Sequence, residues 1–325
     1  MTAIPTTVRE HESELVVASA VQVAVGVVEL RLVDESGAGL PPWTSGAHVD
    51  LVLGDDLVRQ YSLCGDPADA TSYTVAVLRE PASRGGSSYV HDRLTPGSRV
   101  RVRGPRNHFP LLASPRYEFI AGGIGITPIL PMVAQADASG ADWHVSYGGR
   151  TRASMAYADL LVTTFGERVT LVPFDEQGPL DLAGILGRPG PETLVYCCGP
   201  EGLLGAVEDV CTASWPAGAL HLERFAAKAT EAPAEGERSF ELVLASSGVT
   251  LQVPPDRSIF DVVQDAGISV LGSCHEGICG TCEQAVLEGE VDHRDSVLNE
   301  SERAANDAMM VCVSRCRSDR LVLDL

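Results

Sequence analysis

The sequence predicts a multidomain chain. An antiparallel β-barrel comes first, an α/β domain with a mainly parallel sheet second, and a small domain of β-grasp order last. Three observations predict this. The first 112 residues carry short β-branched runs separated by turn residues. From residue 117 the rhythm changes to strand, then helix. After a polar stretch, two alternating strands and a helix lead into a loop rich in cysteine and glycine. A chain of 325 residues has room for two or three domains with cores of their own.

In the first part the runs at 27–33, 49–53, 73–78 and 99–103 read as strands. Gly37-Ala38-Gly39 and Gly54-Asp55-Asp56 read as turns between them, and short strands at this spacing suggest a barrel. The lightly charged stretch 15–30 contains Gln22 and Glu29 and follows the acidic run Glu10-His11-Glu12-Ser13-Glu14. It therefore reads as two short strands around Gly26, not as an export signal or a membrane span. In the second part 117–121 is a strand ending in glycines and 127–138 a helix. The segments 143–147, 154–162, 169–173, 193–198 and 203–211 continue the alternation. Residues 225–238 are polar and aperiodic, a linker composition. The last part has strands at 240–244 and 249–253 and a helix at 258–266. The expected boundaries are 1–112, 113–226, a linker at 227–238, and 239–325.

A formal charge of −20 argues against nucleic acid, whose phosphates it would repel. Nine cysteines, an odd number without an export signal, point to a reducing compartment, hence the cytoplasm, with thiols serving as ligands.

Cys274, Cys279 and Cys282 follow the spacing C-x4-C-x2-C, with Cys312 30 residues further on. That run matches plant-type [2Fe–2S] ligation by four thiolates. Gly277 and Gly280 remove the Cβ obstacle where backbone N–H groups must approach sulfur. Structural zinc and ordinary thiols are the alternatives, although zinc sites usually pair two C-x2-C units and only one is present. Gly122-Gly123-Ile124-Gly125-Ile126-Thr127-Pro128 follows a strand and opens a helix, a place where a dinucleotide pyrophosphate can approach the backbone. Its spacing is not G-x-G-x-x-G, and it also reads as a tight strand–helix turn. Cys198-Gly199-Pro200 sits at a second strand end, and both loops could line one crevice; Cys198 equally reads as a buried small hydrophobe. In the barrel, Arg59-Gln60-Tyr61-Ser62 lies at a strand and Arg84-Gly85-Gly86-Ser87-Ser88 precedes a short helix. Arg59 and the Gly-Gly-Ser turn could hold one phosphate; an arginine on a strand also reads as a surface charge.

Together these residues resemble the phthalate dioxygenase reductase group of Rieske-oxygenase reductases, which includes vanillate demethylase reductases. The resemblance spans the chain. It also takes in Pro105-Arg106-Asn107-His108-Phe109-Pro110-Leu111, Glu223-Arg224-Phe225, Asp292-His293-Arg294-Asp295 and the ending Leu321-Val322-Leu323-Asp324-Leu325. It implies a flavin (FMN) barrel, an NAD domain and a C-terminal ferredoxin. By position, Arg59 would bind the FMN phosphate, with Gln60 in the same motif, and Tyr61 and Ser62 would contact the isoalloxazine. Gly85, Gly86 and Ser87 would close around the phosphate, with Arg84 a further contact and the backbone of Ala76, Val77 and Leu78 beside the ring. Thr127 would lie near flavin and nicotinamide, Cys198 would flank the nicotinamide, and Phe225 would cover the ring. Gly122, Gly123, Gly125, Pro128, Arg150, Gly199 and Pro200 would complete the nucleotide contacts.

Three positions depart from the family pattern. Leu78 stands where a basic residue can occur, with Arg79 on the opposite face. Thr151 and Arg152 stand where an NADH-preferring member can place a carboxylate, so NADPH competes with the expected NADH. Cys316, four residues after Cys312, competes as a ligand; the context Met310-Val311-Cys312-Val313-Ser314 favours Cys312. The implied activity is electron transfer from NADH through FMN and [2Fe–2S] to a Rieske-type terminal oxygenase, with Ser62 and Cys198 orienting the reactants. The rivals are an FAD reductase serving a cytochrome P450 or other oxygenase, and a redox sensor without turnover.

Overall fold

The structure, a computed structural model, describes residues 11–54, 57–81, 83–190, 192–227 and 237–325. Most of the expected linker (228–236), the turn residues 55–56 and Glu10 lie outside the described residues. The chain divides into two compact units, 1–222 and 223–325.

The first unit begins with β1 (Glu12–Ala24), β2 (Val27–Val33), β3 (His48–Val52), β4 (Val58–Ser62), β5 (Ser72–Leu78), α1 (Gly86–Arg93) and β6 (Arg99–Arg106). The strands form one sheet in the order β4-β3-β6-β1-β2-β5. A bridge between Leu63 and Val75, with Cys64 N donating to Thr74 O at 2.9 Å, joins its two edges, so the sheet closes into the expected barrel. Alternate residues such as Leu15, Val17, Leu30, Leu32, Val75 and Val77 fill the interior. Two strands do flank Gly26, but β1 is 13 residues long rather than short. It pairs with both β2 and β6, and register shifts at Val17/Ser19 and Gln22/Ala24 let it bend from one partner to the other.

The same unit continues with β7 (Arg116–Gly122), α2 (Ile126–Ala138), β8 (Asp142–Gly149), α3 (Ala158–Phe165), β9 (Val169–Pro173), α4 (Phe174–Gln177), α5 (Leu182–Leu186), β10 (Thr193–Cys198), α6 (Glu201–Ser214) and β11 (Leu220–Glu223). The order is β11-β10-β7-β8-β9, parallel from β10 through β9. The helix expected over 154–162 is instead a 3₁₀ turn at Arg152–Ser154 followed by α3. Thr151 and Ser154 close that turn with a capping box, and Tyr157 holds φ at 60°, which interrupts the helical path.

Barrel and α/β part share a core in which Val27, Cys64, Ala76 and Phe109 pack with Phe119, Ile126, Tyr147 and Cys198. The Tyr157 hydroxyl donates to Glu29 Oε2 at 2.7 Å and lies 3.4 Å from Cys64 Sγ. Burial, reinforced by Cys64 and Glu29, pushes the Tyr157 hydroxyl pKa far up, so it stays a donor.

The second unit holds β12 (Phe240–Leu244), β13 (Val249–Val253), α7 (Ile259–Asp265), β14 (Glu283–Glu288), β15 (Val291–Asp292), α8 (Glu300–Ala305), β16 (Ala308–Met310), β17 (Arg315–Cys316) and β18 (Arg320–Leu323). The main sheet runs β13-β12-β18-β14-β16, with β12 and β18 parallel. Ser258 caps α7 by accepting from Asp261 N, and α7 buries Ile259, Phe260 and Val263 against Phe240, Leu242, Leu321 and Leu323. A mixed sheet with one packed helix is the expected β-grasp. Among the described residues no helix is long and apolar enough to cross a membrane.

Candidate cofactor and electron-transfer site

From β7 the chain steps outward to β8 and β9, then returns to lay β10 on the other side of β7. The β7/β10 boundary is therefore the switch point, the crevice where open α/β sheets bind ligands beyond the carboxyl ends of their strands. Both glycine-bearing loops meet there, with Ala121 and Cys198 in register. A Cβ on Gly125 would stand 2.2 Å from Cys198 O, and one on Gly122 would stand 2.6 Å from Pro200 Cδ. Glycine is needed because the two loops touch backbone to backbone. Thr127 is buried and donates to Ile124 O at 2.9 Å, closing the turn, and Pro128 is buried beside it in α2. The Tyr147 hydroxyl holds Gly123 O at 3.0 Å. Cys198 faces the core shared with the barrel, whereas Cys197 packs beneath α6. Arg150 is exposed at the end of β8, and Arg152 pairs with Asp159 at 2.5 Å.

On the barrel side, Arg59 donates to Arg84 O at 2.7 Å and to Val58 O at 2.8 Å. Its stem lies so close to Gly86 that a Cβ there would fall 2.5 Å from Arg59 Cγ. Gly85 has φ 90° at the start of α1, and Ser87 Oγ accepts from Glu80 N at 3.1 Å. Arg59, Arg84 and the Gly85–Ser87 turn are thus one cradle with two guanidinium groups, suited to a phosphate. Burial, then the charge of Arg84, lowers the Arg59 pKa, and a bound anion would relieve both. Burial pushes Tyr61 up to about 12, so its hydroxyl is neutral. Ser62 is buried at the end of β4. Ala76 and Val77 are buried and Leu78 partly so; Ala76 and Leu78 pack into the core that holds Cys198. Arg79 is committed to Asp92 at 2.7 Å. The side chain of Gln60 donates to Asp50 at 2.9 Å, where Arg106 also pairs. Phe225, 41% exposed, falls in the second unit rather than in the compact unit that carries these groups.

In the second unit Cys279 and Cys282 are buried and Cys274 and Cys312 half-buried. Cys282 Sγ lies 3.1 Å from Cys312 Sγ, and Cys274 neighbours both Cys279 and Cys312. The N–H of Glu276 reaches Cys274 Sγ at 3.3 Å, and Gly277 N–H is aimed at Cys312. The sulfurs run as neighbours, Cys279, Cys274, Cys312, Cys282. The adjacent Cys274 and then burial drive the Cys279 thiol far up. Four adjacent thiolates are stable together only around cationic metal, so this donor set fits a cluster. Cys316 lies on β17 against Ser318 Oγ (3.1 Å) and Arg320 O (3.5 Å).

Sequence reasoning missed the support of this loop. Gly277 has φ 67°, and a Cβ on it would meet Val313 Cγ2 at 2.5 Å and Asp295 Cα at 3.0 Å. Ser296 N donates to Gly277 O at 2.8 Å, and the buried Asp295 carboxylate accepts from the N–H of Val297 (3.0 Å) and Leu298 (2.8 Å). Charges clustered at 292–295 were the signal; nothing in their spacing said that one of them is fully buried.

A family model described as the 2Fe-2S iron-sulfur cluster binding domain matches residues 242–317. The phenoxybenzoate dioxygenase subunit beta of Ectopseudomonas oleovorans is 46% identical over 289 residues, which cover 88% of this chain and 89% of that protein. An intact type IV self-sufficient cytochrome P450 monooxygenase superposes with TM-score 0.92 at 45% identity over 97% of this chain, which spans only 41% of its length. Phthalate dioxygenase reductase, described as a modular structure for electron transfer from pyridine nucleotides to [2Fe-2S], matches with TM-score 0.70 at 37% identity. There the match covers 97% of this chain and 98% of the other. With the barrel, the switch-point crevice and the four-sulfur loop all in place, the chain belongs to the phthalate dioxygenase reductase family, the oxidoreductase components of oxygenase systems.

Proposed function

We propose that this protein takes electrons from NADH and delivers them, through FMN and a [2Fe–2S] cluster, to a Rieske-type oxygenase in the cytoplasm. The flavin supplies the conversion of a two-electron hydride into single electrons, and the cluster relays them. Arg59 and Arg84 with Gly85, Gly86 and Ser87 hold the flavin phosphate. The neutral Tyr61 and the buried Ser62 orient the ring against β5. The loops at Gly122–Gly125 and Cys198–Pro200 take the dinucleotide, and the shared core fixes their distance from β5. Cys274, Cys279, Cys282 and Cys312 would hold the cluster. The single observation that carries this reading is the chain of four neighbouring sulfurs closed by Cys282 and Cys312 at 3.1 Å.

An anaerobic NADH titration, followed by visible absorbance and low-temperature EPR, tests it. Bleaching of flavin and cluster together, with a rhombic reduced-cluster signal, is expected. Bleaching of flavin alone would overturn the role of the sulfurs. The 45% identity to part of a self-sufficient cytochrome P450 monooxygenase gives weaker support to a P450 as the acceptor. Reduction rates toward a Rieske oxygenase and a P450, measured side by side, decide between them, and acid release of the flavin separates FMN from FAD.

A further inference from the structure

Phe174 is 62% exposed, the most exposed large hydrophobic residue among those described. It stands directly after β9, at the carboxyl end of the sheet. The ends of β7, β8 and β9 are in register there, Gly122 with Gly148 and Gly149 with Pro173. Two strand spacings, about 10 Å, separate the glycine loop from Phe174. A dinucleotide whose pyrophosphate lies at Gly122–Gly125 must send its adenosine outward across these ends, because β10 and the barrel core flank the other side. An exposed aromatic face on that path is placed where a flat aromatic base could stack.

The charges beside it bear on the ribose. Arg152, the residue that could accept a 2′-phosphate, already pairs with Asp159. Asp175, next to Phe174, donates its backbone N–H to Arg150 O at 3.2 Å, which ties the ends of β8 and β9 together. Its carboxylate and that of Glu176 are exposed on that edge. The carboxylate absent after Arg150 is thus supplied from the adjacent strand.

We propose that Phe174 is the stacking platform for the adenine ring and that Asp175 is the group that selects NADH by repelling a 2′-phosphate. This rests on the dinucleotide reading above and assigns its specificity. The test is calorimetric titration of the full chain with ADP-ribose and with 2′-phospho-ADP-ribose. The parent is expected to bind ADP-ribose. F174A should weaken that binding about tenfold, and F174Y should restore it, because stacking on a base tolerates either ring. D175N should leave ADP-ribose within about twofold and tighten the 2′-phosphorylated ligand about fivefold. Both residues are exposed, so neither change threatens the fold. Parental affinity in F174A, or an unchanged ligand ratio in D175N, overturns the assignment while the crevice stands. A parent that binds no ADP-ribose overturns the dinucleotide reading itself.

Discussion

Replacing Gly125 by alanine is the sharpest perturbation of the crevice. Gly125 has φ −61°, which alanine adopts without strain, so the effect is purely steric. The added methyl would stand 2.2 Å from Cys198 O, 2.4 Å from Cys198 C and 2.7 Å from Gly199 N. All three are backbone atoms at the end of β10, and none can rotate aside. Relief requires the two loops to part by roughly 1 Å, an overpacking cost of about 3 kcal/mol. For a unit of this size that lowers its melting temperature by about 6–12 °C. A 1 Å misplacement at the reacting centre also costs about a hundredfold in rate. Stopped-flow reduction of the flavin by NADH should slow by that order, while the cluster absorbance stays unchanged. Gly205→Ala in α6 is the control: its Cβ meets nothing within 4 Å, and the helix gains about 0.5–1 kcal/mol. If Gly125→Ala melts and reacts as Gly205→Ala does, the backbone contact between the loops does not set the crevice.

C282A should abolish the cluster's visible absorbance and EPR signal, while C316A, whose sulfur is turned to Ser318 and Arg320, should keep both; iron analysis of the two proteins checks this. Glu118 is raised from 4.5 to about 7, by burial first and then by Asp142. The folded state therefore holds its proton more tightly than the unfolded chain, and stability falls as pH rises from about 4.5 to 7. Glu118→Gln, always neutral, should match the parent at pH 5 and exceed it by about 1 kcal/mol at pH 8 in urea melts, a value discounted for partial contact with water. Gly277→Ala combines a left-handed φ with a 2.5 Å clash on Val313 and should lower the cluster content of freshly purified protein, read as iron per chain.

Sequence alone carried the strand rhythm of the barrel, the alternation of the α/β part and the helix Ser258 caps, because periodicity and caps are local. It carried the cysteines for the same reason, their spacing being the signal. The split of the helix at Tyr157 was not legible. It follows from a hydroxyl bonded to Glu29, 128 residues away, and propensity is blind to such a contact. The pairing of the Gln60 side chain with Asp50 was not legible either, because that partner is defined only by register. The burial of Asp295 and Arg315, both bonded to backbone groups, has no local signature in the sequence.

The distribution of packing follows the demands of the two transfers proposed. Hydride transfer tolerates little error, since the reacting atoms must meet at about 3–3.5 Å. The barrel and α/β part are correspondingly fused: one core runs through both, Tyr157 is bonded to Glu29 and set against Cys64, and Ser45 donates to Pro131 O at 3.1 Å. The connector is clipped as well, with Tyr196 and Tyr117 hydroxyls holding Pro110 O and Leu112 O at 2.9 and 2.8 Å. Buried hydroxyls with carbonyl or carboxylate acceptors fix orientation more sharply than apolar contacts do. The four sulfurs, by contrast, sit in a unit whose core of Phe240, Val263, Met310 and Leu321 is its own. The cysteine loop rests on Asp295 and Gly277 of that same unit. Precision is therefore built inside each unit: across the barrel–α/β seam for the hydride, and within the cysteine loop for the electron.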